Sequence, residues 1–117
     1  MRVLGAPWPV GQGAVKTFTW AEVAHEVRCM ASYLLSLGLA PGSRIVIWGK
    51  NTAHLIMADW AIWMAGHVSV PLYPTLAIKT VQQILDHSGA CLLFVGKLDD
   101  ADAMRAGVPA HVPCINL

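Results

Sequence analysis

The sequence predicts a three-layer α/β fold with a mostly parallel sheet, and three observations carry that expectation. Arg44-Ile45-Val46-Ile47-Trp48 and Cys91-Leu92-Leu93-Phe94-Val95 are short apolar runs with no polar alternation, as strands covered on both faces are. Segments with a helical apolar period lie between such runs. Turn residues, Gly38, Pro41-Gly42, Gly66 and Ser88-Gly89, mark the changes from one to the other. Strand and helix alternating in this way build a parallel sheet with helices on its faces. At 117 residues the chain has length for one small domain.

Residues 1–16 carry Gly5, Pro7, Pro9, Gly11 and Gly13 with no hydrophobic period and read as an irregular lead-in; the ordered unit is expected over 17–117. Thr19-Trp20-Ala21-Glu22 is a capping box, in which the threonine hydroxyl accepts from the amide of residue 22 while Glu22 reaches back. The helix behind it repeats Trp20, Val23, Ala24, Val27, Ala31, Leu34 and Leu35 at intervals of three and four, and these are its expected inward face. Gly38 suits the left-handed position that closes the helix.

After the strand Arg44 to Trp48, Asn51 or Thr52 caps a second helix running to about Ala65. Ala53, Leu55, Ile56, Met57, Ala58, Trp60, Ala61, Ile62, Trp63 and Met64 leave it almost no polar side, and such a helix is buried on more than one face. Val68 to Leu72 reads as a strand whose Pro71 marks an end or an edge. A third helix is expected with Ala77, Val81, Ile84 and Leu85 inward, ending at Ser88-Gly89. A short helix from Asp99 to Arg105 and a last strand from Val112 to Asn116 complete the series.

Charged residues make up 13% of the chain against roughly 25% in an ordinary domain, so polar surface is too scarce to cover a free-standing globule. The net charge of +1 with scattered Lys and Arg leaves no electrostatic footprint for nucleic acid. A membrane span in the apolar stretch Leu55 to Tyr73 is disfavoured. Asp59 near the bilayer centre would cost about 2.5–3.5 kcal/mol. Gly66 and Pro71 interrupt the run, and the helical part is only about 21 Å long. Pro7 and Pro9 argue against a signal peptide. Cys29, Cys91 and Cys114, with no CxxC and no zinc-type spacing, read as reduced thiols of a cytoplasmic protein.

No candidate for chemistry passes its spacing test. Gly49-Lys50-Asn51-Thr52 follows a strand and opens a helix, but Arg44 stands where a Walker loop needs its first glycine and Asn51 where it needs a hydroxyl; a turn with a cap is the better reading. Gly11-Gln12-Gly13 lacks a third glycine and a preceding strand. His25, His54, His67, His87 and His111 include no HExxH and no nearby nucleophile and acid, and read as surface or cap residues. Ser69 lacks the glycines of a nucleophile elbow and Ser88 fits a turn. Met57, Trp60, Trp63 and Met64 are weighed as the lining of an acyl pocket or as core, with core favoured. No residue is assigned a catalytic, cofactor-binding or metal-binding role.

The order of the residues carries a resemblance. Phe18-Thr19-Trp20-Ala21-Glu22-Val23 running to Leu37-Gly38-Leu39-Ala40-Pro41-Gly42-Ser43-Arg44-Ile45 is a first block. Gly49-Lys50-Asn51-Thr52, Ala61-Ile62-Trp63-Met64-Ala65-Gly66 and Val70-Pro71-Leu72-Tyr73-Pro74-Thr75 form a second, and His87-Ser88-Gly89-Ala90 with Leu92-Leu93-Phe94-Val95-Gly96 a third. Over Thr17 to Asp99 the chain resembles the opening of the adenylate-forming (AMP-binding) superfamily, most of all its long-chain fatty acyl-CoA synthetases. His54 and His67 depart from that family's usual residues, both at scaffold positions. The resemblance implies part of the large N-terminal domain of an enzyme that uses ATP, magnesium and coenzyme A to convert a fatty acid to its acyl-CoA. The family's phosphate loop, magnesium-binding glutamate, ribose-binding aspartate and C-terminal lysine all lie later in its order, and none has a counterpart here. The chain is therefore expected to be an inactive scaffold fragment, partnered by the remainder of the parent enzyme or by itself through apolar faces, cytoplasmic or peripheral to a membrane in the parent. The alternative is a non-enzymatic interaction module that self-associates or docks to a full-length synthetase.

Overall fold

The computed structural model describes residues 2–3, 18–99 and 101–117. Their elements run β1 (Arg2–Val3), α1 (Trp20–Ser36), β2 (Arg44–Trp48), α2 (Ala53–Met64), β3 (Val68–Leu72), α3 (Ile78–Ser88), β4 (Leu92–Val95), α4 (Ala101–Ala106) and β5 (Pro113–Asn116). The five strands form one sheet in the order β1-β5-β4-β2-β3, and every pairing is parallel. Within the stretch expected to be an irregular lead-in, Arg2–Val3 pairs with β5; the rest of it lies outside the described residues.

Strand periodicity sorts the side chains into two cores. Ile45 and Ile47 of β2, Leu92 and Phe94 of β4 and Ile115 of β5 face α1 and α2, packing on Val27, Met30, Ala31, Leu34, Leu55, Met57, Ala58, Ala61 and Ile62. Val46, Trp48, Leu93, Val95 and Cys114 face the other way, against Val81 and Leu85 of α3 with Val108 and Val112. A chain stepping from β2 to β3 and then back past β2 to β4 with one crossover hand must put its successive helices on opposite faces. The result is the three-layer α/β/α arrangement that the alternation predicts.

Local chemistry sets the element ends. Thr19 Oγ1 accepts from the Glu22 amide at 3.1 Å and Glu22 Oε1 accepts from the Thr19 amide at 3.1 Å, the complete capping box. Thr52 Oγ1 accepts from the Leu55 amide at 3.2 Å and opens α2. Gly89 closes α3 at φ 65°, a left-handed conformation in which a side chain would be strained.

Three expectations change. Trp20, read as inward, is 81% exposed and Leu35 is 62% exposed, and Ala24 and the α3 N-cap Ala77, also read as inward, are exposed, while Met30 is fully buried. Trp20 lies on the same stripe as Val27 but occupies the first helical position. Leu35 lies on the flank of the stripe away from Met30. His67, read as a surface or cap residue, is buried, its amide donating to the Ile62 carbonyl where α2 turns into β3. Finally, α2 buries only Leu55, Met57, Ala58, Ala61 and Ile62; Ile56, Trp60, Trp63 and Met64 face outward.

Candidate functional site

In open α/β sheets the crevice at a topological switch point, beyond the carboxyl ends of the strands, is the usual ligand position. Here the switch falls between β2 and β4, whose following helices go to opposite faces. Backbone fills it. Gly49 and Gly96 meet so closely that a Cβ on Gly49 would stand 2.8 Å from Gly96 Cα. The Gly96 amide donates to Trp48 O and the Lys50 amide to Lys97 O, both at 2.8 Å. Lys50 Nζ then pairs with Asp99 Oδ1 at 2.6 Å across the top.

The Gly49-Lys50-Asn51-Thr52 loop is thus committed to structure. Gly49 permits the close approach, Lys50 is held by a carboxylate and the Thr52 hydroxyl caps α2. Two donors that a phosphate-binding loop would offer, the Lys50 amide and its ammonium, are thus engaged within the chain. Among the described residues no three His, Cys, Asp or Glu side chains come together as a metal site.

Beside the closed crevice, a cavity of about 580 Å³ opens between the carboxyl ends of β2 and β3 and the first turns of α2. Ile47, Leu55, Ile56, Pro71, Leu72 and Pro74 supply its apolar lining, with Lys50, Asn51, Asp59 and Tyr73 as its polar groups. Asp59 Oδ1 is buried with no hydrogen-bond partner among the described residues, which is costly for a carboxylate. Among the described lining residues no nucleophile is paired with a base.

Next to the cavity lies the outward side of α2. Ile56, Trp60, Trp63 and Met64 are 38–60% exposed, and Val68 of the neighbouring edge strand and Tyr73 just beyond it are 49% and 77% exposed. Trp63 Nε1 donates to Ser69 Oγ at 3.0 Å and ties this face to β3. These apolar side chains gather on one side of α2 and along the adjoining β3 edge. The edge itself resists strand addition. The Val68 amide points inward to Ser43 O, so by alternation Pro71, which has no N–H, falls on the free side.

The residues weighed in the sequence are scattered. Met57 is core, whereas Trp60, Trp63 and Met64 face outward, and none of the four lines the cavity. His54 packs edge-on against Phe18 with ring centroids 5.7 Å apart; His87 and His111 are exposed. Ser69 is taken by Trp63, and the Ser88 carbonyl accepts from Arg44 at 3.0 Å. Cys29 is exposed, Cys91 half-buried and Cys114 buried, all as free thiols; burial pushes the Cys114 thiol up to about 11. Spacing arguments missed the cavity, whose residues come from strand ends and a helix start, and for which the lone acid of α2, Asp59, was the available signal. They also missed His25 and Cys29, one helical turn apart, whose Nε2 and Sγ are 3.6 Å from each other.

Comparison with known proteins agrees with this architecture. Residues 5–116 match the family described as AMP-binding enzyme. A long-chain-fatty-acid–CoA ligase, FadD15, of Mycobacterium bovis is 35% identical over 97 residues, covering 83% of this chain and 16% of its own length. Long chain acyl-CoA synthetase 1 of Arabidopsis thaliana is 38% identical over 77 residues, 66% of this chain and 12% of that protein. The chain thus spans less than a fifth of either relative. Among solved structures, a Mycobacterium tuberculosis fatty acyl CoA synthetase superposes with a TM-score of 0.72 at 28% identity, covering 86% of this chain and 21% of the other. The structure of CmiS6 gives 0.74 at 22% identity over 86% of this chain and 23% of its own, a likeness of fold. With a parallel α/β sheet of the same build and a family match along nearly its whole length, the chain belongs to the AMP-binding enzyme family, and long-chain fatty acid CoA ligases are among its relatives.

Proposed function

We propose that this chain is a scaffold portion of an ATP-dependent acyl-CoA synthetase, an enzyme that joins a fatty acid to coenzyme A with release of AMP and pyrophosphate. The observation that carries the reading is the pairing of family membership with an outward apolar face on α2. The helix is apolar on two sides, yet these residues bury only one. Further protein packed on Ile56, Trp60, Trp63 and Met64 accounts for the second side.

In this reading the chain contributes no group to bond making. Its sheet, capped helices and closed Gly49–Gly96 crevice hold a surface in place, while ATP, magnesium and coenzyme A are handled by the remainder of the parent enzyme. The fatty acid is the parent's substrate. The location is cytoplasmic, which suits three free thiols, and among the described residues no helix is long and apolar enough to cross a membrane. The folded 117-residue protein, supplied with palmitate, ATP, magnesium and coenzyme A, is expected to form no acyl-CoA. Product above a no-protein blank overturns the reading.

A second reading rests on the same face: a non-enzymatic module that self-associates or docks to a full-length synthetase through α2. Light scattering after size exclusion separates the two. A dimer that dissociates on Trp60→Ser and Trp63→Ser supports the module; a monomer that binds hydrophobic dye supports the scaffold.

A further inference from the structure

We propose that His25 and Cys29 form a two-ligand site for a thiophilic divalent cation, with Zn²⁺ the best match. The two residues are one turn apart on α1, and both are exposed. At 3.6 residues per turn they lie about 160° and 200° around the helix from Val27, the centre of its buried face, and so form its outermost ridge. Neither side chain is needed for packing.

Their separation matches the requirement of the metal. Zinc bonds of about 2.3 Å to sulfur and 2.05 Å to nitrogen, set at the tetrahedral angle, place the two donor atoms about 3.5 Å apart. His25 Nε2 and Cys29 Sγ are 3.6 Å apart, so both can ligate without a change of backbone. On binding, the Cys29 thiol gives its proton to solvent and ligates as thiolate, while His25 donates the Nε2 lone pair and keeps its proton on Nδ1. Among the described residues no third His, Cys, Asp or Glu joins the pair, so water completes the tetrahedron. The donor set, one thiolate and one imidazole, selects zinc, cobalt or cadmium over magnesium or calcium. The site owes nothing to the acyl-CoA synthetase reading and stands whether or not that reading holds.

The test is titration of the reduced 117-residue protein with Co²⁺, which reports thiolate ligation by a charge-transfer band in the near ultraviolet, followed by displacement with Zn²⁺. One Co²⁺ per chain is expected, with the band removed by Zn²⁺. Cys29→Ser abolishes the band, His25→Ala weakens binding by at least about tenfold, and Cys91→Ser leaves it unchanged. Because His25 and Cys29 are both exposed, far-ultraviolet circular dichroism should stay the same in these variants and certify the fold. Absence of the band in the parent protein, its survival in Cys29→Ser, or equal affinity in His25→Ala would overturn the proposal.

Discussion

Substitutions on the two sides of α2 should have opposite consequences, and their contrast tests whether its outward side is a true surface. Ile62 is fully buried against α1 and the sheet. Ile62→Ala removes apolar atoms from a packed interior and leaves a cavity, at a cost of about 2–5 kcal/mol. With a urea slope of about 2 kcal/mol per molar for a domain of this size, the unfolding midpoint should fall by about 1–2.5 M. Ile56 and Met64 are 46% and 58% exposed, so Ile56→Gln and Met64→Gln should each change stability by no more than about 0.5 kcal/mol. Urea unfolding followed by circular dichroism supplies the free energies, and binding of a hydrophobic dye should fall in the two glutamine variants. A loss of stability in either outward variant as large as that of Ile62→Ala would refute the outward placement, because the face would then be packed within this chain.

Other expectations follow from single contacts. Thr19→Ala deletes half of a complete capping box and should destabilise by about 1 kcal/mol in thermal unfolding; an unchanged midpoint would show that α1 does not depend on that cap. Gly49→Ala places a Cβ 2.8 Å from Gly96 Cα, a clash with backbone that no side-chain rotation relieves, and should cost about 1–3 kcal/mol by chemical denaturation. Burial raises the Cys114 thiol from 9.0 to about 11, so the folded state holds a proton that the unfolded state releases earlier. That contribution is complete below pH 9 and lost as pH rises through about 11, amounting to about 3 kcal/mol, and Cys114→Ala should lack this alkaline slope in unfolding measured across the interval.

Much of the fold was legible because its signals are local. Arg44–Trp48 and Val68–Leu72 are strands over the spans their composition indicated, and the Thr19 and Thr52 hydroxyls cap the helices they precede. What escaped the sequence depends on where an element stops relative to its neighbours. Trp20 has the period of a core residue but occupies the first position of its helix, and periodicity alone cannot show that. His67 is polar, yet the tight passage from α2 into β3 draws it inside. The all-apolar character of α2 was legible, whereas which of its sides this chain buries was not, because that depends on how α1 and the sheet share one helix. The cavity was illegible for a related reason: Ile47, Asp59 and Tyr73 are far apart in sequence and meet only through the β2–α2–β3 crossover.

The proposed scaffold role has this chain position a surface and leaves bond making to the remainder of the parent enzyme. The direct measurement is acyl-CoA formation by the purified 117-residue protein, with its fold verified by cooperative urea unfolding, in the presence of palmitate, ATP, magnesium and coenzyme A. A rate no different from the no-protein blank is expected; acyl-CoA appearing in proportion to protein concentration would contradict the scaffold role.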